Sequence, residues 1–357
     1  MTNPPDTQPD LDRAALARAT LKAMPAVRET VRSWRELTGG GAGTLIACSG
    51  GADSVALTLA LWSACATANA PPLSVGHVVH DLRPEPDALA DRDLVRALSD
   101  RLGIPFVESS IKVAGAGNDE GAARTRRYAA LVSMAGRAGL GYVASAHHAN
   151  DQLESMLMAI ARGSGLEGLA GVAASRPLGL GVTLIRPMLS GLRTDAEAIC
   201  QIVGARWAHD ATNDDTERFR SAVRGGPARL LTEIRPAAPL GAVRAGDLLR
   251  DAAMLVRDRE VEVFGVGTGW DRAELRSERA VVLGAGLRTA SLRLTGGDGA
   301  DRLSRRVIDP VVRAIRDDST ERRHFHWPGG IEVTVTAHRI ELVCPDPSPD
   351  QGAPNDD

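Results

Sequence analysis

Thr44-Leu45-Ile46-Ala47-Cys48 runs directly into Ser49-Gly50-Gly51-Ala52-Asp53-Ser54, and an apolar stretch over residues 55–66 follows. A short apolar run bounded by glycines reads as a buried strand, and the longer one as a helix. The polar hexapeptide between them is then a strand-to-helix loop. Glycines let backbone N–H groups close on an oxyanion. The helix N-terminus adds partial positive charge there, and the Ser49 and Ser54 hydroxyls add donors. An isolated Ser-Gly-Gly is an ordinary turn; in this context it reads as a phosphate grip. Asp53 would repel phosphate unless a metal ion or a protonated amine bridges the two. The loop has no Gly-Lys-Ser/Thr element, so it is not a Walker P-loop.

The same rhythm extends outward from this loop. Residues 73–79, 105–109 and 142–146 read as further strands, and 183–185 as a fifth. Helical spacing marks residues 86–102, 118–138, 150–161 and 194–204 between or after them. Residues 13–37 form two helical pieces separated at Pro25. Alternation of this kind predicts an α/β fold, a parallel sheet with helices on both faces. In such sheets ligands bind beyond the C-terminal strand ends. The loops at 49–54, 77–83 and 145–151 all fall at that edge.

After residue 215 the character changes. Residues 216–263 are Arg-rich and helical, and Ile331, Val333 and Val335 alternate with polar residues as a strand does. The expected organisation is a disordered tail over 1–12, a catalytic domain over 13–215 and a helical Arg-rich region over 216–289. A small α/β C-terminal module over 290–344 and a disordered acidic tail over 345–357 complete it.

Composition narrows the functional classes. Hydrophobic residues make up 43% of the 357 but aromatics only 3%, so the core must be aliphatic. No apolar run reaches a membrane span. The N-terminus lacks the basic and apolar regions of a signal peptide, so a cytoplasmic location is expected. Cys48, Cys65, Cys200 and Cys344 are scattered, which argues against zinc and iron–sulfur sites and for buried thiols in a reducing compartment. Net charge is −3, but Asp6, Asp10, Asp346, Asp350, Asp356 and Asp357 lie in the tails. Without those six acids, 42 bases face 39 acids. Lysine occurs only at Lys22 and Lys112, so positive charge is carried by arginine, which suits bidentate phosphate contacts.

Four further constellations bear chemistry. His77-Val78-Val79-His80-Asp81-Leu82-Arg83 closes the second strand, and its His80 and Arg83 are candidates to hold a nucleotide. Arg124-Thr125-Arg126-Arg127-Tyr128 opens a helix; Arg124 and Arg127 share a face and are candidates for phosphates. In His147-His148-Ala149-Asn150-Asp151-Gln152-Leu153-Glu154, residues His147, Asp151 and Glu154 fall on one helical stripe. These carboxylates suit Mg²⁺ or an ammonium group, or simply cap the helix. Arg162 precedes a glycine-rich helix end, 163–168.

Taken together, these segments resemble the successive motifs of tRNA(Ile)-lysidine synthetases. That family belongs to the PP-loop N-type ATP pyrophosphatases. The carriers are SGGADS (49–54), HVVHDLR (77–83), ARTRRY (123–128), HHANDQLES (147–155), RGSGLEGL (162–169), Arg186-Pro187-Met188-Leu189, the segment Trp207-Ala208-His209-Asp210-Ala211-Thr212-Asn213, and then Arg220 and Arg224. The resemblance covers residues 44–231 and returns weakly near 290–344. It departs from the family pattern at Asn150, Ser155 and Ser221, with one carboxylate fewer.

The resemblance implies a Rossmann-like PP-loop domain that uses ATP and Mg²⁺. The wobble cytidine of an isoleucine tRNA with a CAU anticodon is adenylated, and free L-lysine then displaces AMP. It implies that Ser49, Gly50, Gly51, Ala52, Asp53 and Ser54 grip pyrophosphate, with Asp53 and Asp151 as Mg²⁺ candidates. Arg127 and Arg162 would meet phosphate charge, and Asp151 and Glu154 the lysine ammonium. Arg218, Arg220, Arg224 and Arg229 would contact tRNA phosphates. A homodimer is compatible with the sequence. The competing readings are another PP-loop tRNA modifier such as a cytidine thiolase, and an inactive ATP-responsive RNA-binding protein.

Overall fold

The computed structural model describes residues 8–40, 42–65, 70–81, 85–112, 120–208, 219–297 and 302–344. Arg83, Arg218, residues 209–213 and the acidic tail over 345–357 lie outside these. The chain divides into two compact units, Met1–Leu249 and Arg250–Asp357.

The first unit opens with helices α1 (Gln8–Ala23) and α2 (Pro25–Thr38). Pro25 begins α2, where its missing N–H costs nothing. α1 starts inside the stretch expected to be a disordered tail. On α2, Val27, Thr30, Trp34 and Thr38 form one buried face. The Trp34 indole donates to Thr44 Oγ1 at 3.0 Å, tying the helix to the first strand.

Strand β1 (Thr44–Ala47) leads through the loop into α3 (Ala52–Ala64). α3 is buried on every side from Ser54 to Ser63, which its uniformly apolar sequence requires. Then follow β2 (Leu73–His80), α4 (Glu85–Leu102), β3 (Phe106–Ile111) and α5 (Glu120–Arg137). After them come β4 (Tyr142–Ala144), α6 (Ala149–Ala161), α7 (Leu166–Leu169), β5 (Ser175–Gly179), β6 (Val182–Ile185) and α8 (Arg193–Ile202). The sheet order is β3-β2-β1-β4-β6-β5. All pairings are parallel except β5 with β6, an antiparallel edge hairpin the sequence reading missed. The predicted α/β sheet is present. β2 matches the expected strand 73–79 and runs one residue further, to His80, inside the segment 77–83 also grouped with the loops.

The helical segment after 215 contains α9 (Phe219–Val223), a π-helical turn (Arg224–Ala228), α10 (Arg229–Ile234) and α11 (Ala238–Phe264). Pro227 sits inside the π-turn, where its lack of an N–H fits the widened backbone.

The division into units falls within α11 rather than at 215. In the second unit, β7 (Gly269–Asp271), β8 (Arg323–Trp327), β9 (Ile331–Val335) and β10 (Arg339–Val343) form an antiparallel sheet ordered β7-β10-β9-β8. α12 (Arg272–Arg276), α13 (Ala280–Leu294) and α14 (Arg305–Arg316) belong with it. Ile331, Val333 and Val335 are buried, as their alternation predicted. The module nevertheless starts earlier than residue 290: β7 pairs with β10, and a boundary at 289 would cut α13.

Candidate functional site at the centre of the parallel sheet

The strand order reverses between β1 and β4, and an open α/β sheet places its ligand at such a switch point. β1 delivers the Ser49–Gly50–Gly51 turn there, and β4 delivers residues 145–151. Gly50 has φ +95°, open to glycine but strained for other residues. Its carbonyl accepts from Ala208 N at 2.9 Å. Gly51 is the N-cap of α3, so Ala52, Asp53 and Ser54 are its first turn and not loop, a correction to the sequence reading. Helix geometry leaves the first N–H groups without intrahelical acceptors. Ser54 Oγ donates to Gly51 O at 2.9 Å and accepts from Ser49 N at 3.2 Å, which fixes the turn's curvature.

Across the switch point, α6 starts at Ala149, with His148 as its extended N-cap residue. His147 therefore lies outside the helix and off the stripe expected for it. His148 is the histidine that reaches the loop: its Nε2 is 3.5 Å from Asp53 Oδ2 and its Nδ1 3.4 Å from Asp151 Oδ2. Asp151 Oδ2 also accepts from His148 N at 3.0 Å, capping α6. Gln152 locks this end of α6 in place. It donates to Ala170 O and accepts from Val172 N, both at 2.8 Å.

The two carboxylates on α6 meet two arginines from the segment 66 to 70 residues onward. Arg220 donates to Asp151 Oδ1 at 2.8 Å and to Glu154 Oε2 at 3.0 Å. Arg224 Nε donates to Glu154 Oε1 at 2.7 Å and its Nη2 to Oε2 at 3.1 Å. Glu154 is thus gripped by two guanidiniums, with only 4% of its side chain exposed. Sequence reasoning had assigned Arg220 and Arg224 to tRNA phosphates; in the structure they are ion-paired within the chain.

Asn150 Oδ1 accepts from Arg193 N at 3.1 Å, the first residue of α8. That contact needs only an oxygen, so Asn serves there without a carboxylate. A cleft of about 410 Å³ opens beside Glu154, lined by Asn150, Leu153, Arg224, Thr232 and Glu233 among others.

The other candidates are distributed around this cluster. His80 ends β2 with its Nδ1 buried, and Arg127 is on the exposed surface of α5. Arg162 ends α6, eight residues and about 12 Å along the axis from Glu154. It stacks on Phe219, 5.3 Å from the ring centroid, and does not join the cluster. Arg229 pairs with Glu233 at 2.7 Å on the exposed side of α10.

Charge in the cluster is set by burial and by the neighbours. Burial opposes charging His148, but Asp53, with Asp151 and Glu154 behind it, raises its pKa. Burial also opposes charging Asp151, but His148, Arg220 and the His148 N–H hold it down at about 2. Burial pushes His147 down to about 3, so it is neutral, hydrogen-bonded to Ser145 Oγ at 3.0 Å.

These shifts predict a pH optimum for stability. The lowered Asp151 contributes about 2 kcal/mol above its unfolded pKa, lost as pH falls through the folded value. The raised His148 contributes fully below its unfolded pKa, and this is lost as pH rises through the folded value. Urea denaturation should therefore show greatest stability between about pH 4 and pH 6.5. A His148→Gln variant should lose the alkaline decline.

Residues 28–228 match the family model of the PP-loop domain. A tRNA(Ile)-lysidine synthase of Geobacter sulfurreducens is 32% identical over 341 residues, covering 91% of this chain and 70% of that protein. The chain belongs to the tRNA(Ile)-lysidine synthase family of PP-loop proteins. The synthase of Symbiobacterium thermophilum is 32% identical over 332 residues, covering 87% of this chain and 67% of its own. That of Pseudomonas syringae pv. tomato is 35% identical over 208 residues, covering 58% and 46%. The chain spans about half the length of the first curated lysidine synthases it matches, 46% and 52%. In fold it is similar to the U34-tRNA thiolase NcsA of Methanococcus maripaludis, with TM-score 0.50 and 17% identity over 63% of this chain and 79% of that one. As a member of the lysidine synthase family, the chain carries an ATP-using domain of PP-loop type. No helix among the described residues is long and apolar enough to cross a membrane.

Proposed function

We propose that this chain ligates lysine to the wobble cytidine of an isoleucine tRNA with a CAU anticodon, through an adenylated base, at the β1/β4 switch point. The observation that carries the reading is the meeting of Asp53, on the phosphate-gripping turn, with His148 and Asp151 on α6. The cytosine O2 attacks the α-phosphorus of ATP, and the bond to pyrophosphate breaks. The N–H groups of the Ser49–Gly50–Gly51 turn and the start of α3 receive the pyrophosphate charge. The lysine ε-ammonium gives up a proton to solvent, and the resulting amine attacks C2 of the adenylated base. The C2–O bond breaks and AMP leaves.

Asp53 Oδ1 is buried with no hydrogen-bond partner among the described residues, which fits a hard cation. No group of three metal-ligating side chains occurs among those residues, so Asp53 would supply one ligand of Mg²⁺, and phosphate oxygens and water the rest. When bound, Mg²⁺ offsets phosphate charge. Both oxygens of Asp151 are already engaged, so Asp151 suits a cation only if Arg220 gives way.

The lysine ammonium is assigned to Asp151 and Glu154, reached through the cleft beside Glu154. It would take the place of one guanidinium. A Glu154→Gln variant should raise the lysine KM about tenfold or more with ATP KM unchanged; unchanged lysine dependence would sink this assignment.

Omitting ATP, Mg²⁺, lysine or tRNA one at a time, with pyrophosphate release and labelled-lysine incorporation as readouts, tests the whole reading. Release that needs tRNA, with lysine entering it, supports ligation. Release without lysine incorporation moves the chemistry to another base modification, and no release favours RNA binding alone. A thiolase reading is not favoured by the curated relatives, which are lysidine synthases. Cys48 and Cys200 are buried thiols hydrogen-bonded to Ser54 Oγ and Ala52 O at the start of α3.

A further inference from the structure

Three arginines beside the site have no acidic partner among the described residues. Arg124 lies one turn before Tyr128 on α5 and donates to its hydroxyl at 3.1 Å. Two guanidiniums lie over the Tyr128 ring, Arg124 at 5.2 Å and Arg176 at 4.8 Å from the centroid. Arg186, which also interacts with Tyr128, is 2% exposed. Its Nη1 donates to Ala173 O at 2.5 Å, but its Nε is buried without a partner among the described residues.

The edge hairpin builds this cluster. Arg176 pairs in register with Leu184, and Arg186 N donates to Ala174 O at 2.8 Å. None of the three has a carboxylate partner among the described residues, whereas Arg220 and Arg224 close by are fully paired. Burial, together with the charges of Arg124 and Arg176, lowers the Arg186 pKa against a raising contribution from Tyr128. Like charges held together in this way are stabilised by a bound anion.

We propose that the exposed Arg124 and Arg176, with the charge of buried Arg186 behind them, form an anion site for a phosphodiester of the RNA substrate, separate from the turn that grips ATP. The choice of RNA over another phosphate rests on the proposed function. Tyr128, with both guanidiniums over its ring, serves as their holder and not as a stacking platform for a base. Arg186 and Arg124 also act on His147, so the site borders the cluster where the base would react. A phosphate flanking the wobble nucleotide is the chemistry that fits.

The test uses the full chain and exposed positions, since a change at buried Arg186 risks the fold. Binding of an isoleucine tRNA transcript to Arg176→Gln and Arg124→Gln is measured by fluorescence anisotropy across a salt series. ATP affinity is measured without RNA. Each variant should bind RNA about five- to tenfold more weakly and flatten the salt slope by about 0.7. Arg176→Lys should keep most of the slope, and ATP affinity should be unchanged. An unchanged slope in both glutamine variants overturns the site. An unchanged slope with weakened ATP binding reassigns it to nucleotide phosphate and equally overturns the RNA proposal. If wild type binds tRNA but incorporates no lysine, the ligation reading fails while the slopes still decide the anion site.

Discussion

An Asp53→Asn variant should release pyrophosphate about 100- to 1000-fold more slowly than wild type while folding normally. The turn and the α3 N-terminus would still receive phosphate through backbone N–H groups, so ATP binding should weaken far less than turnover. What disappears is the carboxylate whose Oδ1 is buried and unpartnered and whose Oδ2 faces His148 at 3.5 Å. An amide keeps the volume but offers a cation no charge. The substitution also has a second readout that a merely structural role would not give. His148 is held above its usual pKa against burial by Asp53 first, then Asp151 and Glu154. Without Asp53 its pKa should fall, which NMR titration of the imidazole measures. Unchanged turnover would show that another group manages the phosphate charge.

The path from sequence to this site was uneven for identifiable reasons. β1, its turn and α3 were legible because an apolar strand and an apolar helix flank a polar turn, a contrast visible within residues 44–64. β5 carries no such contrast: Ser175, Arg176 and Pro177 are exposed, and only its pairing with β6 makes it a strand. β7 is three residues long, below any periodicity.

The choice of His147 over His148 failed on a boundary. Counting i, i+4, i+7 from His147 assumed that the helix had begun, but His148 is extended, with φ −126° and ψ 178°, and α6 starts after it. A cap position read from Asp151 three residues on would have found His148. Arg220 and Arg224 were singled out through the resemblance. Their pairing with a carboxylate 66 and 70 residues back was not legible, because helix periodicity identifies a face and not what covers it.

The largest stability effect is expected outside the catalytic unit, at Arg272 in the second unit. Replacing it by Met should destabilise that unit by about 3–5 kcal/mol. Arg272 is 4% exposed and sits at the start of α12. Its Nη2 donates to Ala314 O and Asp317 O, both at 2.8 Å, and its Nε to Ile315 O at 3.2 Å. Its Nη1 donates to Ser319 O at 2.6 Å and Thr336 O at 3.1 Å. Ala314 and Ile315 are in the last turn of α14, where helix carbonyls have no intrahelical donor and the dipole is negative. One guanidinium therefore caps α14 from another element and stitches it to the turn after β9. Met fills the space but leaves the carbonyls of Ile315, Asp317, Ser319 and Thr336 without this donor, while Ala314 O keeps Arg323 Nη2 at 3.1 Å, a cost that packing does not offset.

Trp270 and Trp327 are buried in this unit, so thermal melts followed by fluorescence should show its transition moving down. Arg272→Lys discriminates the cause. A lysine keeps the charge but has a single nitrogen in place of a planar fork. It should recover less than half of the loss if the spread of carbonyls is what matters, and nearly all of it if charge against the helix dipole and the Asp317 carboxylate, 3.0 Å from Nη2, suffices. The geometry, with three guanidinium nitrogens serving five carbonyls, favours the former.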